Sequence, residues 1–91
     1  MDPLSTCFQH QQQLEVEDTG DELLIYRTGD DSTYYLNGTA ALVWRLCDGQ
    51  RRGADIVDLL VDAYPDESVT IRSQVPEILR ELTERGVVAS I

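Results

Sequence analysis

The sequence contains no lysine, one histidine, two cysteines and no apolar run approaching the roughly 18 to 20 residues that a membrane-spanning helix needs. Each shortage closes off a class of function. Without a long apolar segment the chain is not expected to enter a membrane. Asp2, Pro3 and the glutamines Gln11, Gln12 and Gln13 lack the basic and apolar regions of a signal peptide, so a cytoplasmic location is expected. Two cysteines make no disulfide framework. Cys7 and His10 have CxxH spacing, but a structural zinc site takes about four ligands and no second pair follows, so no metal is expected. A lone imidazole with no Ser or Cys partner cannot be built into a nucleophile and base set. No catalytic residue and no cofactor are therefore expected, and the many carboxylates read as solvated faces.

Basic residues are also scarce. Seventeen acidic residues stand against seven arginines, for a net charge of -10. Affinity for nucleic acid comes mainly from neutralising phosphates and releasing their counterions, so a nucleic-acid partner is not expected. The adjacent pair Arg51 and Arg52 reads as part of a solvated loop.

What the chain does have is 42% apolar residues in a length that suits one domain with one modest core. Residues 1–12 are polar and irregular and read as a loose arm, leaving 13–91 as the folded unit. From Leu14 the pattern alternates with period two, Leu14 and Val16 against Glu15 and Glu17, and ends in the turn composition Asp18, Thr19, Gly20, Asp21. A second apolar run, Leu23 to Arg27, stops at Thr28, Gly29, Asp30, Asp31, and a third, Thr33 to Leu36, follows at once. Links this short join only antiparallel strands. After Asn37, a plausible N-cap, the period changes to that of a helix: Ala40, Val43, Trp44 and Cys47 fall on one face, and Asp48 with Gly49 closes it. Trp44 and Cys47 read as core residues. Ile56, Leu59, Leu60 and Ala63 repeat the spacing, with Asp55 in the first turn and Pro65 as the stop. Val75, Ile78, Leu79 and Leu82 repeat it again, with Pro76 placed near a helix start and Gly86 just past the end. Val87 to Ile91 reads as an extended tail. The fold class is α+β, a three-stranded antiparallel N-terminal sheet followed by three helices.

The segment Tyr34, Tyr35, Leu36, Asn37, then Thr39, Ala40, Ala41, then Val43 and Trp44, resembles the LN-x-TA-x-x-[IV]-W segment of the PqqD-like family. Leu46 to Arg51 resembles its L-C-D-G-x-R turn, Ile56 to Tyr64 its second helix, and Val75 to Val87 its V-x-x-[IFL]-L-x-x-L-x-x-x-G-[LV] helix. The likeness covers roughly residues 14 to 89. Gly53 departs from the family's usual Thr, and Pro76 interrupts the last helix. The resemblance implies a winged helix-turn-helix-like fold that binds the leader of a ribosomally made precursor peptide as an extra strand. It also implies a partner enzyme that modifies the peptide, a radical S-adenosylmethionine protein in the case of pyrroloquinoline quinone. The leader, the enzyme, the pathway and the oligomeric state, a homodimer included, stay open.

On that basis the binding edge is expected at Ser32, Thr33, Tyr34, Tyr35 and Leu36, whose composition favours extended backbone. The guest's side chains would enter a groove walled by the last helix, at whichever of Val75, Ile78, Leu79 and Leu82 the core leaves free. Arg72 and Thr83 flank that stripe on one side, Gln74 and Arg85 on the other, so an arginine is expected to meet an acidic leader residue on either flank. Two rival readings share these features. A winged-helix regulatory module would have the same fold, although the acidic charge opposes DNA contact. An acyl carrier protein would match in length and acidity, but Asp31 and Ser32 are followed by Thr33 and Tyr34 in a strand.

Overall fold

In the computed structural model, which describes residues 2–91, a 3-10 turn (Pro3–Ser5) leads into strands β1 (Cys7–His10), β2 (Leu14–Asp18), β3 (Glu22–Arg27) and β4 (Ser32–Asn37). Helix α1 (Gly38–Leu46), strand β5 (Asp48–Arg52), helix α2 (Gly53–Ala63), a 3-10 turn (Pro65–Glu67), helix α3 (Ser68–Glu84) and strand β6 (Val88–Ser90) follow.

The three alternating segments form the expected meander, an antiparallel sheet in the order β2, β3, β4. Its register pairs Leu23 with Leu36 and Ile25 with Tyr34, which puts Leu23, Ile25, Tyr34 and Leu36 on the face turned to the helices. Leu23 and Ile25 are fully buried. Burial of this kind contributes about 1.5–3 kcal/mol per side chain and fixes the register, because a slip of one residue would turn both into water.

Helix α1 follows β4 without a loop. Asn37 is its N-cap by position, but its side chain makes no capping bond. Gly38 turns the chain with φ +55, a left-handed conformation that side chains with a Cβ adopt only under strain. Val43, Trp44 and Cys47 are buried as expected, and Ala41 joins them. The helix ends at Leu46 with Cys47 as its C-cap. Gly49 lies in β5, at a register shift opposite β1, and is not a glycine cap. In α2 the buried face is Ile56, Val57 and Leu60, while Leu59 is 42% exposed, so the expected stripe is turned by about one position. Arg52 is the N-cap, and the Asp55 carboxylate accepts its backbone N–H at 2.9 Å.

Helix α3 starts at Ser68, well before Pro76. The proline is therefore interior and not near the start, and it leaves the Arg72 carbonyl without its helical donor. At the other end the Gly86 N–H donates to Thr83 and the Val87 N–H to Leu82, the bonds of a Schellman-type stop.

The largest difference from expectation is a second three-stranded sheet, in the order β5, β1, β6. Residues 7–10, read as part of a loose arm, form its central strand. Phe8 is buried in the core and His10 stacks on Trp44 with ring centroids 3.6 Å apart. His10 Nε2 lies 2.6 Å from the Trp44 carbonyl, which can only accept, so this nitrogen carries the proton. The Trp44 indole in turn donates to the Val87 carbonyl. Arg51 and Arg52, read as loop, lie in β5, and Val88–Ser90 is a paired strand instead of a tail. The N-terminal segment packs so closely on α2 that a Cβ at Gly53 would collide with the Pro3 carbonyl, and the Gly53 N–H donates to Thr6 at 3.0 Å. That approach explains why glycine stands where the family has threonine. Residues 3–10 belong to the folded domain.

Candidate peptide-binding groove

Strand β4 is the outer strand of the meander, and among the described residues it pairs with β3 alone. In an antiparallel edge strand every second residue turns its N–H and C=O away from the sheet, so β4 offers a row of unused backbone donors and acceptors. Its side chains alternate in the same way. Ser32, Tyr34 and Leu36 lie on the helix side of the sheet, and Thr33 and Tyr35 on the outer side, where Tyr35 is 49% exposed. A hydrogen bond to the Glu22 carboxylate, with desolvation adding to it, holds the Tyr35 hydroxyl above its usual range.

Beside the C-terminal end of β4 opens a cleft of about 600 Å³. One wall is Asn37 and the first turn of α1, Gly38 to Ala40. The other is the α3 face that carries Gln74, Glu77, Ile78, Glu81 and Glu84, with Arg80 at its side. The cleft lies on the Gln74 side of the stripe. Of the apolar residues expected to wall it, Val75, Leu79 and Leu82 are consumed by the core, and Ile78 alone lines the cleft while packing partly against that core. Arg72 is exposed on α3 and is not among the residues around the cleft.

Two arginines hold α3 in place beside β4. Arg27 of β3 donates to the Arg85 carbonyl at 2.8 Å, which caps the C-terminus of α3 with a cation where the helix dipole favours one. The Arg85 guanidinium lies over the Tyr34 ring, 5.7 Å from its centroid, and contacts Glu81. Arg85 is therefore engaged with residues of the protein itself and is not among the residues around the cleft. In place of the expected Arg72 or Arg85, the cleft has three carboxylates, Glu77, Glu81 and Glu84, beside one arginine, Arg80. Those three positions were missed in the sequence, although their spacing of four and three marks one helical face. Away from the residues that line the cleft, the carboxyls of Asp18 and Asp48 are held below the usual range, the first mainly by hydrogen bonding from Arg45, the second by the backbone N–H of Gln50. These pin turns and take no part in the groove. Ser32 begins β4 and is no helix N-terminus of the acyl carrier kind.

Residues 22–88 match the family model described as coenzyme PQQ synthesis protein D. The chain belongs to the PqqD family. By sequence it matches no curated protein. Two solved structures share the PqqD-family fold seen here. One is described as TbiB1 in complex with the TbiA(beta) leader peptide, with 18% identity, a TM-score of 0.76, and coverage of 88% of this chain and 93% of that one. The other is a lasso peptide synthetase B1 complexed with the leader peptide, with 20% identity, a TM-score of 0.76, and coverage of 91% and 98%. The match extends beyond the helices, which brings the winged helix-turn-helix-like arrangement expected from the resemblance onto the observed sheets.

Proposed function

We propose that this protein binds the leader segment of a ribosomally synthesised precursor peptide as an added strand along β4, and presents it to a peptide-modifying enzyme such as a radical S-adenosylmethionine protein. The unpaired margin of β4 beside an open cleft on α3 carries the proposal. Membership of the PqqD family supports it, as do the leader peptides named with the two similar structures. The role is recognition without catalysis.

Edge pairing and cleft divide the work. Backbone bonds to β4 contribute about 0.5–1.5 kcal/mol each and read no sequence. Fixing a flexible leader costs about 1–2 kcal/mol per residue, which offsets most of that gain. Side chains lodged against Ile78 and Ala40 then decide the affinity. The expected dissociation constant lies between about 1 nM and 1 μM.

Fluorescence anisotropy with a labelled leader from a precursor encoded beside this protein tests the proposal. Saturable binding in that range is expected. Absence of binding to every such leader, or self-association through β4 that leaves no edge free, would remove its basis.

A further inference from the structure

Given strand addition at β4, the chemistry of the cleft says which leader sequences fit. Three carboxylates, Glu77, Glu81 and Glu84, face one guanidinium, Arg80, around the cleft. Among the described residues the ion pairs include Glu81, through Arg85, but neither Glu77 nor Glu84. The opposite wall is the N-terminus of α1, whose dipole is equivalent to about half a positive charge. With Glu81 set against Arg85, Glu77 and Glu84 against Arg80 leave a net of one negative charge on the α3 side, which still outweighs that half charge, and the acidic surface of the whole chain adds to the same field.

We infer that the guest segment is basic: it carries an apolar side chain that seats on Ile78 and a Lys or Arg two residues away, directed at Glu77 or Glu84. Spacing makes the arrangement workable. Side chains on one face of a strand repeat every 6.6–6.8 Å or so, while Glu84 stands six residues, about 9 Å of helix, beyond Ile78 and Glu77 one residue, about 1.5 Å, before it, so the length of a Lys or Arg side chain two residues from the apolar one makes up the difference in either direction. Tyr34 lies by Arg85 while Gly38 and Thr39, just past the end of β4, share a pocket with Ile71 near the start of α3, so β4 and α3 run side by side in opposite directions. A guest extending β4 would follow the same line. Its remaining side chains, on the outer face, would meet no wall and are free to vary.

The test uses a displayed library of random twelve-residue peptides selected on the wild-type chain and on the Glu77→Gln, Glu84→Gln double variant, both residues being exposed. The wild type is expected to enrich Lys or Arg two residues from an apolar position. Synthetic copies of those peptides are expected to bind the double variant about twofold to fivefold more weakly and to weaken as salt is raised. Enriched peptides with no basic preference, or equal binding to both proteins, would overturn the inference while leaving strand addition standing. N-methylation of alternate peptide bonds separates the two ideas, since it removes backbone donors and leaves the charges in place. If no methylation weakens binding, or no peptide is enriched at all, strand addition fails and the inference fails with it.

Discussion

Ile78 and Leu79 are neighbours in sequence with opposite assignments, and truncating each in turn separates binding from folding. Leu79 is fully buried among the helices, so Leu79→Ala leaves a cavity and should destabilise the fold by about 2–5 kcal/mol. For a domain of this size each kcal/mol lowers Tm by about 4–8 °C, so the loss is on the order of 10–30 °C. Ile78 lines the cleft and is only partly covered in the free protein. Ile78→Ala removes three carbons, worth about 0.8 kcal/mol each if fully buried. Roughly half of that is at stake on folding and half on binding. The expected outcome is about 1 kcal/mol less stability and an affinity for leader peptide reduced about fivefold to tenfold. Urea denaturation and anisotropy titration on the two variants, at a temperature where Leu79→Ala remains folded, give both quantities. If Ile78→Ala binds leader as tightly as the wild type, the guest does not enter this cleft. If Leu79→Ala weakens binding by the larger factor while folded, the division between core and groove is misplaced.

Gly53→Thr restores the residue usual in the family but sets a Cβ against the Pro3 carbonyl. It should lift the N-terminal segment from α2, cost about 1–3 kcal/mol, and speed proteolysis before residue 7 relative to the wild type. Pro76→Ala returns an N–H to the interior of α3. It should raise stability by about 1–3 kcal/mol in urea denaturation after allowing for the proline's restriction of the unfolded chain. Burial pushes the Cys47 thiol from 9.0 up to about 12, with nearby Asp48 adding to the shift, and a pKa raised in the folded state stabilises below the unfolded value. The thiol's contribution to stability should therefore be level below about pH 9 and decline from there toward pH 12, and Cys47→Ala should flatten that decline in thermal melts. In native protein a thiol reagent should label Cys7 and leave Cys47 untouched until unfolding, as read by mass spectrometry.

The meander and the helices were legible because each carries its period in consecutive residues: Leu14 to Glu17 alternate, and Val43, Trp44 and Cys47 keep helical spacing. Strand β1 carries no such mark. Cys7 to His10 become a strand only because β5 and β6, some forty and eighty residues further along the chain, lie on either side of them. A four-residue segment with one buried side chain holds no local record of partners that distant. Leu59 shows a second limit, since the apolar positions of α2 fit two overlapping stripes and only packing in the folded core chose Val57 over it. At the groove the edge strand was visible in Ser32 to Leu36, and the apolar stripe of α3 was visible too. Which flank of that stripe met the cleft was not, because it depends on where β4 and the start of α1 come to lie against the helix, which no residue of α3 records. For the same reason Arg72 was expected beside a cleft that Glu77, Glu81 and Glu84 line instead.

Residue-resolved amide hydrogen exchange, with and without saturating leader peptide, bears most directly on strand addition. Alternate amides of Ser32–Asn37, those turned away from β3, should slow strongly on binding, while the amides already bonded to β3 change little. Protection that spares β4 and appears instead on β2 or α2 would contradict the account.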